Sequence, residues 1–307
     1  MLNIWRLQLL VQFEVLGTMQ QVADVMHVSK STVSQQLNLL EQETGVTLFE
    51  RIGRQVRLTV AGRELCRKVR PVLGQLELIG NSLGESDDKV IGTVHVASFS
   101  SAMSSFVLPA LQKLSGKYPQ LESKVSELEP NLSLPLLDSR QIGIAIVAYL
   151  GRGGNLQRFE RAVTPIGSDR MQILVSRDNP LARHESVSIE DLADSVWAME
   201  QADAYLPSYM TSLCKAAGFM PKTGGVFTSY SAMKKAVKLN MMICALPTLA
   251  IAADVDDSII TLPLVPGHTR RIFMVTRNSQ KNMHTIDVVG KAIQAEARRK
   301  LGPEVIE

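Results

Sequence analysis

Between residues 18 and 40 the apolar positions recur at helical spacing, broken once by a short turn. Val22, Ala23 and Met26 fall on one face of a short helix that Thr18 caps. His27 and Val28 make the turn, and Ser29 caps the next helix. In that helix Val33, Leu37 and Leu40 point inward at i, i+4 and i+7. Lys30, Ser31, Thr32, Ser34 and Gln35 remain on the outer face near its N-terminus. A helix-turn-helix needs this division: an apolar anchoring face, and short hydrogen-bonding side chains that meet base edges in the major groove. A plain helical hairpin with a solvated polar face is the competing reading of this window.

The next segment favours DNA. Residues 48–58 are apolar on both sides of Gly53-Arg54, a pattern that predicts a β-hairpin. Packed after the second helix, such a hairpin is a wing lying along the DNA backbone. From 51 to 70 the basic residues are Arg51, Arg54, Arg57, Arg63, Arg67, Lys68 and Arg70, against the single acid Glu64. That balance gives a local field of the sign phosphates require. Thr18 and the wing residues Arg51, Arg54 and Arg57 therefore join the five outer residues of the second helix as candidate DNA contacts. Backbone contacts supply affinity and register, and the helix must supply specificity.

Thr59 can cap a long helix beginning near Val60. Its apolar positions Leu65, Val69, Val72, Leu76, Ile79 and Leu83 are spaced by 4, 3, 4, 3 and 4 residues. This is the seam of a two-stranded coiled coil, or one face of a helix packed on its own domain. Pro71 is expected to kink the helix, and Gly74, Gly80 and Gly84 to weaken it. The pattern thus predicts a bent, marginal linker helix that needs a partner chain. In such a dimer, two recognition helices about 34 Å apart read a two-fold-related site.

After the polar stretch 85–89 the pattern changes to alternation. Strands are expected at 90–98, 121–128 and 142–147, and helices at 102–114 and 132–138. After Pro165 the alternation restarts with segments at 171–175, 189–193, 196–199, 208–217 and 225–228. A helix at 231–239, strands at 242–245 and 271–275, and a helix at 286–298 complete it. Such alternation predicts α/β subdomains with mostly parallel sheets.

Composition bounds the picture. At 307 residues, 45% hydrophobic and 21% charged, the chain is globular with two or three domains. The net charge of +3 makes it no general polyanion binder, because the basic excess is local. No apolar run reaches the roughly 18 residues that span a bilayer. The N-terminus has no secretion-signal pattern, so the expected location is the cytoplasm and the expected partners include no membrane.

Residues 7–65 resemble the DNA-binding domain of the LysR-type transcriptional regulators. The resemblance rests on Leu10, Phe13, Ala23, Val28-Ser29, Val33-Ser34, Leu40-Glu41, Gly45-Val46, Leu48-Phe49 with Arg51, and Leu58-Thr59 with Ala61-Gly62. The chain departs from that pattern at Thr18-Met19, where the family has Ser-Phe, at Val22, often Ala, and at Gln35, usually Arg. Gln gives no charged phosphate contact but pairs bidentately with adenine. Over the second half the resemblance is weaker. It is carried by Gly92 and Val94, Leu108-Pro109, Leu114, Tyr118-Pro119 and Leu246-Pro247, and Gly143 stands where the family commonly has Asp.

The resemblance implies an α/β protein with an N-terminal winged helix-turn-helix (1–59) and a linker helix (60–88). It implies a C-terminal effector-binding domain (89–307) of the periplasmic-binding-protein type, with subdomain I at 89–163 and 268–307 and subdomain II at 164–267. It further implies homodimers or homotetramers on double-stranded DNA, with RNA polymerase as a further partner.

In such a fold a ligand sits at the carboxyl ends of strands, where helices begin. Ser98, Phe99, Ser100 and Ser101 follow the first strand of the effector domain, and Thr228 and Ser229 follow a strand in the other subdomain. Two hydroxyl-rich helix starts facing one cleft suit a small anionic effector, although serine capping alone explains either cluster. Tyr149, Glu200 and Tyr205 are the next candidates, with Phe99, Tyr149 and Tyr205 as apolar walls.

Catalytic readings find little. His27, His95, His184, His268 and His284 have no ligand spacing, so no metal site is expected, and no cofactor motif occurs. The glycine-rich stretch 151–154 reads as a loop. Cys66, Cys214 and Cys244 read as buried thiols. The leading reading is a sequence-specific DNA-binding transcriptional regulator, not an enzyme, whose cleft senses a small molecule. A solute-binding receptor of the same fold, or an enzyme with a DNA-binding appendage, are the alternatives.

Overall fold

The computed structural model describes residues 2–53, 55–82, 90–150, 156, 161–201, 205–251, 256–280 and 283–301, with backbone only at 77, 78 and 80–82. The head begins with α1 (Ile4–Leu16), α2 (Met19–Met26) and α3 (Lys30–Thr44). Leu9, Leu10, Phe13, Val22, Val33, Leu37 and Leu40 fill the space between them. Asn3, Thr18 and Ser29 cap the three helices by accepting backbone N–H groups of Trp5, Gln21 and Thr32. The wing is β1 (Phe49–Ile52) paired antiparallel with β2 (Gln55–Leu58). Gly53 between them has a φ of 62°, which an L side chain would strain.

The linker helix α4 (Val60–Ser82) is continuous through Pro71, the position where a kink was expected. Cys66, Val69 and Leu73 are buried in the head's core, and Leu65 packs against it. Val72, Leu76 and Ile79 are exposed, and Leu83 lies outside the described residues. The expected seam is therefore divided: its first two positions anchor the helix to its own head, and only the next three face outward. Gly74 is a packing residue rather than a weak point. A Cβ there would lie 2.7 Å from the Cβ of Ser279, so glycine lets α4 meet the second half of the chain. Gln12 of α1 adds a buried hydrogen bond, its Nε2 donating to the Ser139 carbonyl at 2.7 Å.

The second half follows in order as β3 (Gly92–Ser98), α5 (Ser100–Ala102), a π-helical segment (Met103–Val107) and α6 (Leu108–Lys117). Next come β4 (Leu121–Glu127), α7 (Pro130–Asp138), β5 (Ile144–Leu150), β6 (Arg161–Ser176) and β7 (Val196–Glu200). Then follow α8 (Tyr205–Ala216), β8 (Lys222–Phe227), α9 (Tyr230–Lys238), β9 (Cys244–Pro247) and α10 (Thr248–Ile251). The last elements are β10 (Ile259–Pro263), β11 (Thr269–Arg277) and α11 (His284–Lys300).

Two lobes result, each with its own core. Val96, Phe106, Ile144, Ile146, Ile272 and Ile293 lie in one, and Ile173, Leu192, Trp197, Met210 and Leu262 in the other. In the first lobe β4, β3 and β5 are parallel, while β11 runs antiparallel between β5 and β6. β6 continues into the second lobe, pairing antiparallel with β9 and β10. There β7 and β8 are parallel. The expectation of mostly parallel sheets fails at β6 and β11, because these strands run from lobe to lobe and pair in opposite directions. The boundary expected between 163 and 164 falls inside β6. Pro165, Gly167 and Asp169 interrupt its apolar pattern and hide its first half.

Gly143 precedes β5, where its amide donates to the His95 carbonyl. A Cβ there would lie 2.8 Å from Ile286 Cδ1, so a side chain at that position requires the end of the Ile286 side chain to move.

Candidate functional site

The outer surface of α3 is built on its buried face. Val33, Leu37 and Leu40 are fully buried, fixing which side chains face out. Lys30, Ser31 and Gln35 are exposed, and Thr32 and Ser34 half-buried. Ser29 Oγ accepts the Thr32 amide at 3.0 Å and lies 2.7 Å from Ser31 Oγ and 2.8 Å from Thr32 Oγ1. A groove of about 630 Å³ opens between the start of α2, the start of α3 and the wing. It brings together Thr18, Lys30 and Arg57 with Gln20, Gln55 and Arg63. Arg51 is exposed on β1, and Arg54 lies outside the described residues.

Ion pairs trim the basic field read from composition. Glu64 pairs with Arg67 and lies 3.6 Å from Lys68, and Glu14 pairs with Arg70. The Arg67 guanidinium holds the Glu64 carboxyl below its ordinary range. Among the described residues, the outward positive charge is thus concentrated at Lys30, Arg51, Arg57 and Arg63, beside the recognition surface.

A second cavity, of about 430 Å³, lies between the two lobes. Its first-lobe wall includes Ser100, Ser101, Ser104 and Glu129, and its second-lobe wall Glu200, Thr228, Ser229, Tyr230 and Lys234. Of the residues expected at a ligand site, Ser100, Ser101, Glu200, Thr228 and Ser229 line it. Ser98 is fully buried beneath. Phe99 is buried under the Arg270 guanidinium, 4.7 Å from its ring centroid. Tyr205 instead bonds to the end of β5, where its hydroxyl donates to the Leu150 carbonyl and accepts the Leu150 amide. Tyr149 packs edge-on against it at 5.8 Å. These two tyrosines pin α8 to the first lobe rather than line the cavity.

Sequence reading missed the charged pair under the cavity floor. Asp169 and Arg270 are register partners on β6 and β11 and both are buried. Arg270 Nε and Nη2 donate to Asp169 Oδ1 and Oδ2 at 2.8 and 2.7 Å, and Nη2 also reaches Ser101 Oγ at 3.2 Å. Asp169 Oδ2 further accepts the Leu249 amide at 3.2 Å. The signal is faint: Asp169 is the single acid of β6, but Arg161 and Arg170 on β6 and Arg271 and Arg277 on β11 are charged as well, and only the register shows which of them is paired in the interior. Glu129, Tyr230 and Lys234 were missed as well. Glu129 follows β4 and precedes α7, the same strand-to-helix position that drew attention to Ser100 and Ser229.

Electrostatics single out Glu200. Burial above all, and then the nearby Glu129 carboxylate, push its carboxyl up to about 7, although the Tyr230 hydroxyl hydrogen-bonds to it. Burial and Glu200 raise Tyr230 in turn. The thiols are buried too. Burial raises Cys66, and pushes Cys214 to about 11 and Cys244 to about 12. Among the described residues, no helix is long and apolar enough to cross a membrane.

Known proteins match both halves. Residues 4–63 match the bacterial regulatory helix-turn-helix protein, lysR family, and residues 87–298 the LysR substrate binding domain. The chain is 28% identical over 279 residues to a hydrogen peroxide-inducible genes activator of Dickeya chrysanthemi, covering 90% of each chain. It is 27% identical over 297 residues to the DNA-binding transcriptional dual regulator OxyR of Escherichia coli K12, covering 96% of this chain and 95% of that one. A full-length OxyR variant from Pseudomonas aeruginosa superposes with a TM-score of 0.65 at 20% identity, covering 96% of this chain and 98% of that one. With both family domains matched in order, on a wing-flanked helix-turn-helix and a two-lobed domain, the chain belongs to the LysR family of DNA-binding transcriptional regulators.

Proposed function

We propose that α3 and the wing read an operator while the cavity between the lobes binds the small effector that controls the reading. The outer face of α3 carries it: Lys30, Ser31, Thr32, Ser34 and Gln35 over a fully buried apolar row. Thr18, Arg51, Arg54 and Arg57 are the backbone contacts of this reading. The exposed Val72, Leu76 and Ile79 support pairing of two linker helices, in a homodimer or a homotetramer built from such dimers. The protein works in the cytoplasm, without catalysis of its own, and RNA polymerase is its downstream partner.

The Dickeya relative is named for hydrogen peroxide. Here the three cysteines are buried, and their raised thiols leave little of the thiolate that peroxide attacks. That favours a bound ligand over thiol oxidation as the input. The contacts of α1 and α4 with the second half, through Gln12 and Gly74, give ligand-driven lobe movement a direct route to the head.

Genome-wide immunoprecipitation followed by footprinting at several salt concentrations tests this reading. Two protected half-sites one or more helical turns apart are expected. Binding without a preferred site that vanishes in modest salt would reduce the head to an electrostatic patch.

A further inference from the structure

Gln36 follows Gln35 on α3, about 100° further round the helix. It is half-buried on the flank that meets the first turn of α1, and its side chain is held there. Arg6 Nε, on α1, donates to Gln36 Oε1 at 2.8 Å. Arg6 Nη1 donates to Glu43 Oε1 in the last turn of α3. A guanidinium can only donate, which settles the orientation of the Gln36 amide: its oxygen faces Arg6 and its nitrogen faces away. Among the described residues, Gln36 Nε2 donates to no protein group, and it is not shut off from solvent.

Folding alone accounts for the ion pair. Arg6 and Glu43 tie the start of α1 to the end of α3 without help from Gln36. What Gln36 adds is a pair of N–H donors held in one direction. That direction matters on a helix that enters a groove. Ser31, Gln35 and Asn38 are exposed in one line along α3, spaced by 4 and 3 residues, and form the edge that meets the bases. A helix with its side chains is about 10–12 Å across, and the major groove is about 12 Å wide. A residue on the flank of that line therefore abuts the sugar-phosphate wall rather than the bases. A phosphate oxygen only accepts, so it matches a group that only donates. Arg6 also offsets the Glu43 charge, which alone would repel a phosphate there.

Resting on the reading of α3 as the helix that meets the operator, we infer that Gln36 donates to a backbone phosphate at the groove wall and that Arg6 is its positioning residue. The contact is neutral and displaces no counterion. Its loss lowers affinity without changing the salt dependence, unlike the loss of a wing arginine.

The test uses the full chain with two duplexes, the strongest operator recovered by immunoprecipitation and one of random sequence, each titrated at several salt concentrations. Gln36→Met removes the donor at similar side-chain length. Gln36→Glu keeps an oxygen for Arg6 but puts an acceptor where the donor was, so the tie to α1 survives and the contact does not. Both variants should lose about tenfold or more in affinity on both duplexes. Gln36→Met should keep the salt slope of wild type, and Gln36→Glu its thermal unfolding. Arg6→Lys keeps a cation beside Glu43 but gives up the fork that also holds Gln36. It should weaken binding on its own and add nothing in the Gln36→Met background.

Wild-type affinity in either folded variant overturns the contact. So does a loss in Gln36→Glu alone, which is repulsion by the added charge. A loss confined to one base position of the operator makes Gln36 a base reader and overturns the phosphate. Additive losses from Arg6→Lys and Gln36→Met remove the positioning role of Arg6. If the wild-type chain prefers no site, the reading of α3 as the operator-reading helix fails, and the random duplex still decides whether Gln36 meets a phosphate.

Discussion

In the head, the polar groups that face outward from α3 lie in one stretch from Lys30 to Gln35, whereas the cleft gathers Ser101, Glu129, Glu200, Lys234 and Arg270 from separate elements. The charges beside the recognition surface are solvated, and an exposed ion pair such as Arg67 with Glu64 adds little to stability. The cleft's charges are partly or fully desolvated, so each depends on a partner brought from a distant part of the chain. A substitution in the head should thus change DNA binding and leave folding alone. A substitution at the cleft should change folding, ligand response or both.

The sharpest break is expected at the floor of the cleft. Asp169→Ala leaves the Arg270 guanidinium buried without its carboxylate and frees the Leu249 amide. Removing one partner of a buried pair costs about 3–5 kcal/mol. Urea unfolding followed by the fluorescence of Trp197, buried in the second lobe's core, should shift accordingly. A midpoint equal to wild type would mean that the pair is solvated, and the contrast with the head would fall.

Glu200 offers the next test. Its carboxyl ordinarily titrates near 4.5 and here near 7, so the folded state holds the proton more tightly than the unfolded one. That contribution is fully present below 4.5 and is lost as pH rises through 7. The full difference is on the order of 3 kcal/mol. Glu200→Gln removes the loss, so the variant should gain on wild type between pH 5 and pH 8. Parallel stability curves for the two proteins would contradict the placement of Glu200 in a desolvated site.

The same contrast explains what could be read from the sequence. Caps at Thr18 and Ser29, the buried row Val33, Leu37 and Leu40, and the turn at Gly53 are local patterns, each decided within a few residues. The head was legible for that reason. In the second half the strand-to-helix rule found Ser100, Ser101, Thr228 and Ser229. It missed Asp169 and Arg270, which lie inside strands and meet only through the antiparallel register of β6 with β11. Tyr149 and Tyr205 sit close to the cleft along the chain but pack against each other at the junction of the lobes. Gly74 looked like a flaw in a helix until Ser279 filled the space beside it.

Within the head, a base contact and a phosphate contact should separate. Gln35 is exposed on α3 and pairs best with adenine. Gln35→Ala is expected to cost about 1–3 kcal/mol at the preferred operator and to relax the choice of base at one position. Competition binding against operators varied at each position measures this. A uniform loss across all of them would turn Gln35 into a backbone contact.

The smallest effect should come from Arg57. It is exposed on the wing, and its Nη2 donates to Gln55 Oε1 at 3.1 Å, an interaction between neighbours on one strand. Arg57→Ala should therefore leave unfolding within about 0.5 kcal/mol of wild type. Because a phosphate contact carries no sequence information, binding should weaken by a similar factor for every operator variant. The slope of log affinity against log salt should fall in magnitude by about 1, the release of one counterion. An unchanged slope would remove Arg57 from the interface and shift its share of the field to Lys30, Arg51 and Arg63. A changed slope together with changed base preference would mean that the wing helps to orient α3, so that head contacts would be coupled in the way the cleft's charges are.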